Sequence, residues 1–143
     1  MNPASFLQRI VALLDRAAIP YILTGSFASS GHGVPRTSQD IDIVMVPSRD
    51  ALEALLDSLP ETIYYVERDT AFEALDSHGQ FNVIDLETGW KLDCIIRKSR
   101  RFSLKKFERR TRIELFGNEI SIATAEDTLI AKLEWARMAA STQ

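Results

Sequence analysis

Carboxylates set into apolar runs restrict this chain more than any other feature. Asp40-Ile41-Asp42-Ile43-Val44-Met45-Val46 and Leu92-Asp93-Cys94-Ile95-Ile96 both place acids among side chains that belong in a core. Each run reads as a strand. Alternate strand side chains share a face and the rise is about 3.3 Å per residue, so Asp40 and Asp42 point the same way, roughly 6–7 Å apart at Cα. Ile41, Ile43 and Met45 then point into the other layer. A carboxylate in such a run is costly unless it is paired, hydrogen-bonded or bound to a cation. Three acids converging from two neighbouring strands would make a magnesium site, because that ion takes hard oxygen ligands and is often completed by substrate phosphates.

Upstream, the short apolar run Tyr21-Ile22-Leu23-Thr24 stops at Gly25-Ser26, thirteen residues before Asp40. Taken alone, a glycine that ends a strand before a helix is most often a structural turn. Its functional use would be close approach of backbone to a phosphate, with helix N–H groups and the Ser26 hydroxyl donating to it. The ordered combination of Gly-Ser turn, Asp-x-Asp at a strand head and a later acid in a second strand is more specific than any of its parts.

The chain of 143 residues, 45% hydrophobic and 26% charged, is long enough for one domain with a real core and too short for two comfortable ones. No apolar run approaches the ~20 residues of a membrane helix. The first residues, Met1-Asn2-Pro3-Ala4-Ser5, lack the basic start and cleavage site of a secretory signal. The single cysteine, Cys94, has no internal partner and reads as core packing. A cytoplasmic location is the expectation. Net charge is −3, but the window Arg97–Arg112 holds nine basic residues against the single acid Glu108, a local +8. Such asymmetry suggests an anionic partner for that segment; a solvated amphipathic helix with Phe102, Leu104 and Phe107 inward would look the same.

In order, the pattern predicts a helix opened by Asn2-Pro3 and ended by Pro20, the strand Tyr21–Thr24, and a short helix from Phe27 to His32. The strand Asp40–Val46 follows, then a helix from a Ser48 cap through Leu59, closed by Pro60. A strand over Ile63–Val66 and a helix from Thr70 to His78, ending at Gly79, come next. Phe81–Leu86 and Trp90–Ile96 form a hairpin about Glu87-Thr88-Gly89, and a basic helix spans about Ser103–Arg110. Ile113–Phe116 and Ile120–Ile122 read as a second hairpin, and Thr124-Ala125-Glu126-Asp127 as a capping box that starts a helix through Ala140. The fold class is α/β (α+β), one domain over residues 1–143, a mixed sheet flanked by helices. Asp85 reads as an edge polar residue, His32 and His78 as loop or helix-end residues.

Gly25-Ser26 with Asp40-Ile41-Asp42 and Asp93 resembles the nucleotidyltransferase superfamily of the DNA-polymerase-beta type. More narrowly, Thr24–Ala28, Arg36–Asp42, Phe81–Asp93 and Ala125–Leu133 resemble its abortive-infection (AbiEii-type) toxin branch, over about Tyr21 to Trp135. The resemblance implies that Gly25 and Ser26 hold the β- and γ-phosphates of a nucleoside triphosphate, with Arg36 and Lys132 as further phosphate contacts. It implies that Asp40, Asp42 and Asp93 ligate two magnesium ions, manganese being an alternative, and that Asp93 also activates the acceptor hydroxyl. Transfer of a nucleoside monophosphate to a protein, RNA or small-molecule hydroxyl follows, in a toxin–antitoxin or phage-defence setting. In that branch a further helical stretch usually follows the Lys132 helix, whereas this sequence stops at Gln143, as a minimal form, a fragment or a protein that lost part of its site would. A degenerate binding module, acting as an antitoxin or regulatory partner, is therefore the alternative. A plain RNA-binding domain using the basic helix is a third reading.

Overall fold

The computed structural model describes residues 3–24, 40–115, 118–124 and 127. Its sheet has seven strands: β1 Tyr21–Thr24, β2 Asp40–Met45, β3 Tyr64–Tyr65, β4 Gln80–Asp85, β5 Lys91–Ile96, β6 Thr111–Leu115 and β7 Asn118–Ile122. Four helices lie among the described residues: α1 Pro3–Arg16, α2 Arg49–Asp57, α3 Arg68–Ser77 and α4 Arg101–Glu108. The sheet order is β3-β4-β5-β2-β1-β7-β6. Strand β2 runs parallel to β5, and β1 parallel to β7. The remaining neighbours are antiparallel. This is the mixed α/β sheet with helices that the sequence pattern predicts.

Alternation along the strands gives the sheet two unlike faces. Tyr21, Leu23, Ile41, Ile43, Met45, Leu92, Cys94, Ile96, Ile120 and Ile122 point to one side. There they join Phe6, Ile10 and Leu14 of α1, Leu52, Leu55 and Leu56 of α2, and Ala71 and Ala74 of α3 in one continuous core. Cys94 belongs to this core, and burial pushes its thiol far above the ordinary range. On the opposite side the apolar cover is small: Ile22, Phe107 and Ala123, flanked by Val44 and Val46. Helix α4 is held there by Phe107, and elsewhere on that face the acids and Lys91, Asn82 and Gln80 share the surface with half-buried Ile84 and Ile95. No helix among the described residues is long and apolar enough to cross a membrane.

Several boundaries differ from the pattern, for local reasons. Helix α1 ends at Arg16, not at Pro20. Its end is a Schellman turn, with the Ile19 N–H donating to the Leu14 carbonyl at 3.0 Å and the Ala18 N–H to the Asp15 carbonyl at 3.1 Å. Ala18 takes the left-handed conformation that this turn requires, at φ 55°. His78 does the same at the end of α3, so the residue before Gly79, and not the glycine, turns the chain. Strand β3 shrinks to Tyr64–Tyr65, and the helix after it starts at Arg68. The Ser48 cap is present, its hydroxyl accepting from the Ala51 N–H at 3.1 Å. In the β4–β5 turn the Gly89 N–H donates to the Asp85 carbonyl at 2.8 Å, with Gly89 at φ 78°. The short helix expected over 27–32 and the last helix lie outside the described residues. At the head of the latter, the Asp127 N–H donates to the Thr124 hydroxyl at 3.1 Å, one arm of the expected box.

Candidate functional site

The parallel pairing of β2 with β5 decides what the polar face can do. Asp42 is the register partner of Asp93, and Asp40 that of Lys91. Neighbouring strands stand about 4.8 Å apart, so the Cα atoms of Asp42 and Asp93 are side by side at roughly that spacing. Extending the register across the sheet gives two rows on the open face. One runs Thr24–Asp42–Asp93–Asn82 over β1, β2, β5 and β4. The other runs Asp40–Lys91–Ile84–Tyr65 over β2, β5, β4 and β3. The three acids singled out from sequence therefore share one face, opposite the helix-covered core.

Like charges directly opposite each other in a sheet destabilise it, and Asp42 beside Asp93 is such a pair. The compensation is partial. Lys91 Nζ lies 3.7 Å from Asp93 Oδ1 and 4.0 Å from Asp40 Oδ1, an ammonium standing between two of the acids. The Asp93 side chain is only 17% exposed, and its Oδ1 has no hydrogen-bond partner among the described residues. A buried carboxylate oxygen in that condition is suited to a cation. The donor set, carboxylates at a sheet face, is the hard-oxygen type that magnesium or manganese takes. Among the described residues, however, no three His, Cys, Asp or Glu side chains are drawn together closely enough to hold a metal ion. The backbone register thus aligns the acids, with the Lys91 ammonium between Asp40 and Asp93.

The other sequence-predicted site residues, Gly25, Ser26, Arg36 and Lys132, lie outside the described residues. Thr24, the last described residue before Gly25-Ser26, sits on the polar face as the partner of Asp42. At the opposite end of the two rows, a cavity of about 210 Å³ is lined by Tyr65, Glu67, Thr70, Phe81, Asn82 and Ile84. It adjoins the acids through Asn82, the neighbour of Asp93.

The basic window folds as α4 and its flanks, and most of its cations are engaged. Arg109 holds Asp127 through two hydrogen bonds of 2.6 and 3.0 Å. Arg109, burial and the Thr124 hydroxyl act together on that carboxyl; burial pushes it up, and the two hydrogen-bond partners prevail and hold it below the usual carboxylate range. Arg97 and Arg110 both lie over the Phe107 ring, at 5.3 and 4.6 Å from its centroid. Lys98 donates to the His78 carbonyl, and Arg112 to the Ser121 hydroxyl at 3.2 Å. Lys105 faces Glu108 at 3.6 Å on the exposed side of the helix.

Asp85 departs from its expectation as an edge residue. Strand β3 pairs outside it, Tyr64 against Asp85, so β4 is not an edge there and Asp85 is fully buried on the core side. Arg9 of α1 donates to it at 2.8 Å and to the Tyr64 hydroxyl at 2.7 Å, and the Glu87 N–H donates at 2.9 Å. Burial pushes the carboxyl up, but Arg9, the Glu87 N–H and the Thr88 hydroxyl outweigh it and leave it below the ordinary range. Sequence reading also left Lys91 and Lys106 without roles. The signal for Lys91 was its position two residues before Asp93, which puts both on one face.

No protein-family model and no curated protein sequence matches this chain. Its fold, in contrast, has clear solved counterparts. The antibiotic-resistance factor ANT(2'')-Ia superposes with a TM-score of 0.61 at 18% identity, covering 94% of this chain and 72% of that one. A Thermotoga maritima protein assigned as a nucleotidyltransferase gives 0.63 at 16% identity, covering 99% and 91%. The lincosamide antibiotic adenylyltransferase LnuA, in its lincomycin-bound form, gives 0.61 at 14% identity, covering 87% and 82%. The chain therefore has the fold of nucleotidyltransferases; at such identities the likeness extends to the fold alone.

Proposed function

We propose that the protein is a metal-dependent nucleotidyltransferase, moving a nucleoside monophosphate from a triphosphate to a hydroxyl acceptor and releasing pyrophosphate. The observation that carries this reading is the side-by-side register of Asp42 and Asp93 with Asp40 on the same face, in a chain with a nucleotidyltransferase fold. The buried Asp93 oxygen, which has no hydrogen-bond partner among the described residues, supports it. Asp40, Asp42 and Asp93 are the residues that would hold magnesium or manganese, which would neutralise charge on the attacking and leaving oxygens of an in-line displacement. Asp93 accepts the proton of the acceptor hydroxyl as that oxygen bonds to the α-phosphorus and the bond to the pyrophosphate oxygen breaks. Gly25 and Ser26 take the β- and γ-phosphates, and Arg36 and Lys132 add phosphate contacts. Little beyond positioning and charge neutralisation is needed for such a transfer.

The acceptor is a protein side chain, an RNA end such as that of transfer RNA, or a small molecule. The basic segment Arg97–Arg112, carried on the acid face by α4, favours a nucleic acid, whose binding would weaken steeply with salt. The toxin–antitoxin or phage-defence setting rests on the resemblance to the AbiEii-type branch. Calorimetry with magnesium and each of the four triphosphates tests the central reading. Binding of at least one, lost in Asp42→Ala, is expected; no binding to any, or unchanged binding in the variant, rejects it.

Two observations favour a second reading, a catalytically degenerate module that acts as an antitoxin or regulatory partner. Lys91 already places positive charge between Asp40 and Asp93, and no three-acid cluster forms among the described residues. That reading predicts an intact fold and no label passing from radioactive triphosphate to protein or RNA.

A further inference from the structure

The cations beside the acid rows are not equivalent. Lys106 reaches the polar face from α4, its Nζ 3.3 Å from the Thr24 hydroxyl oxygen. Thr24 is the register partner of Asp42, so this ammonium stands at the β1 end of the row in which Asp42 and Asp93 lie. Its approach is fixed by its neighbour in sequence: Phe107 is buried against Ile22 and Ala123, between Val44 and Val46, which locks α4 over this side of the sheet.

Lysines ordinarily lead the ammonium out to water along an apolar stem. Lys106 turns inward and is half-buried, although Lys105 beside it is exposed. Arg97, Lys98, Lys105, Arg109, Arg110 and Arg112 each meet a carboxylate, a carbonyl or an aromatic face. The hydrogen bond that Lys106 makes among the described residues is a long one, to a neutral hydroxyl. Burial lowers its proton affinity, against the attraction of Asp127, whose own charge is taken up by Arg109. A cation folded into a protein face with a neutral hydroxyl for company costs stability unless an anion arrives.

We infer that Lys106 is a phosphate-contacting residue of the nucleotide site, meeting the polyphosphate at the β1 end of the acid row while Lys91 occupies the β5 side. The inference rests on the nucleotidyltransferase reading and assigns a cation that the motif resemblance does not include. As a point charge on a flexible stem, a lysine suits the several oxygens of a polyphosphate better than a single fixed carboxylate.

Inorganic tripolyphosphate with magnesium is the probe, because it needs no choice of base. Calorimetry on the full chain compares the unaltered protein with Lys106→Met, Lys106→Arg and Asp42→Asn, and electron paramagnetic resonance follows free Mn2+ in each. Loss of one charge-assisted contact should weaken tripolyphosphate about tenfold or more in Lys106→Met, and arginine should restore most of it. Mn2+ binding should persist in both Lys106 variants and fall in Asp42→Asn. Tripolyphosphate binding unchanged in Lys106→Met, with Asp42→Asn impaired, overturns the assignment and leaves the nucleotidyltransferase reading standing. Equal losses in the methionine and arginine variants with a lowered melting temperature mean a structural lysine and also overturn it. Failure of the unaltered protein to bind either Mn2+ or tripolyphosphate overturns both.

Discussion

Asp85 and Asp93 sit on adjacent strands of one hairpin, and their surroundings could hardly differ more. Asp85, on the helix-covered side, is fully buried and every approach to it is answered: a guanidinium from α1, a backbone N–H and a threonine hydroxyl from the turn. Asp93, on the open side, keeps a buried oxygen with no hydrogen-bond partner among the described residues, beside a second carboxylate in register. The first acid is a finished structural element whose charge serves to tie α1 to β4. The second is held in a condition that folding alone does not reward. Burial by itself therefore does not distinguish a structural carboxylate from a functional one; the completeness of its hydrogen bonding does.

If Asp85 is structural, removing its partner should give the largest effect. Arg9→Met strands a fully buried carboxylate and should cost about 3–5 kcal/mol of unfolding free energy, read by urea denaturation. A loss below about 1 kcal/mol would collapse the contrast, because it would put Asp85 in the range of exposed ion pairs.

Acid should act through the same group. A carboxyl whose affinity for protons is lowered by folding contributes stability above its unfolded pKa, near 3.9, and that contribution disappears as pH falls through the lower folded value. Asp85 and Asp127 both behave in this way. Melting temperature should therefore drop as pH falls below about 4, with a shallower drop in Arg9→Met than in the unaltered chain.

Asp93→Asn should move stability the other way. It removes one of two neighbouring like charges, and a gain of about 0.5–1 kcal/mol is expected together with loss of magnesium-dependent triphosphate binding. A destabilised variant would place Asp93 with Asp85. The smallest effect belongs to Lys91→Met: its contacts of 3.7 and 4.0 Å are long and part-exposed, so stability should fall by less than about 1 kcal/mol.

The contrast between these acids was only half legible in the sequence. Alternation in Asp40–Val46 and Leu92–Ile96 announces which side chains share a face, and Gly89 announces the hairpin, because both are local properties. The register that sets Asp42 against Asp93 is not local; it depends on the strand order, with β5 beside β2 although α2, β3, α3 and β4 intervene in the chain. Asp85 looked like an edge residue because its covering strand has just two residues and its guanidinium comes from 76 positions away. Lys106 carried no mark at all within a run of similar cations. Its difference from Lys105 arises only when Phe107 is buried.

The parallel seam between β2 and β5 has one more consequence. Sequence-distant strands meet along six consecutive residue pairs at the centre of the sheet, with β1 and β4 on their outer sides. Fraying of a terminus or a turn cannot part them without dismantling the middle of the molecule. Amide protons of Ile43 and Cys94 should therefore exchange only through whole-chain opening, and the two carboxylates stay neighbours for as long as the protein is folded at all.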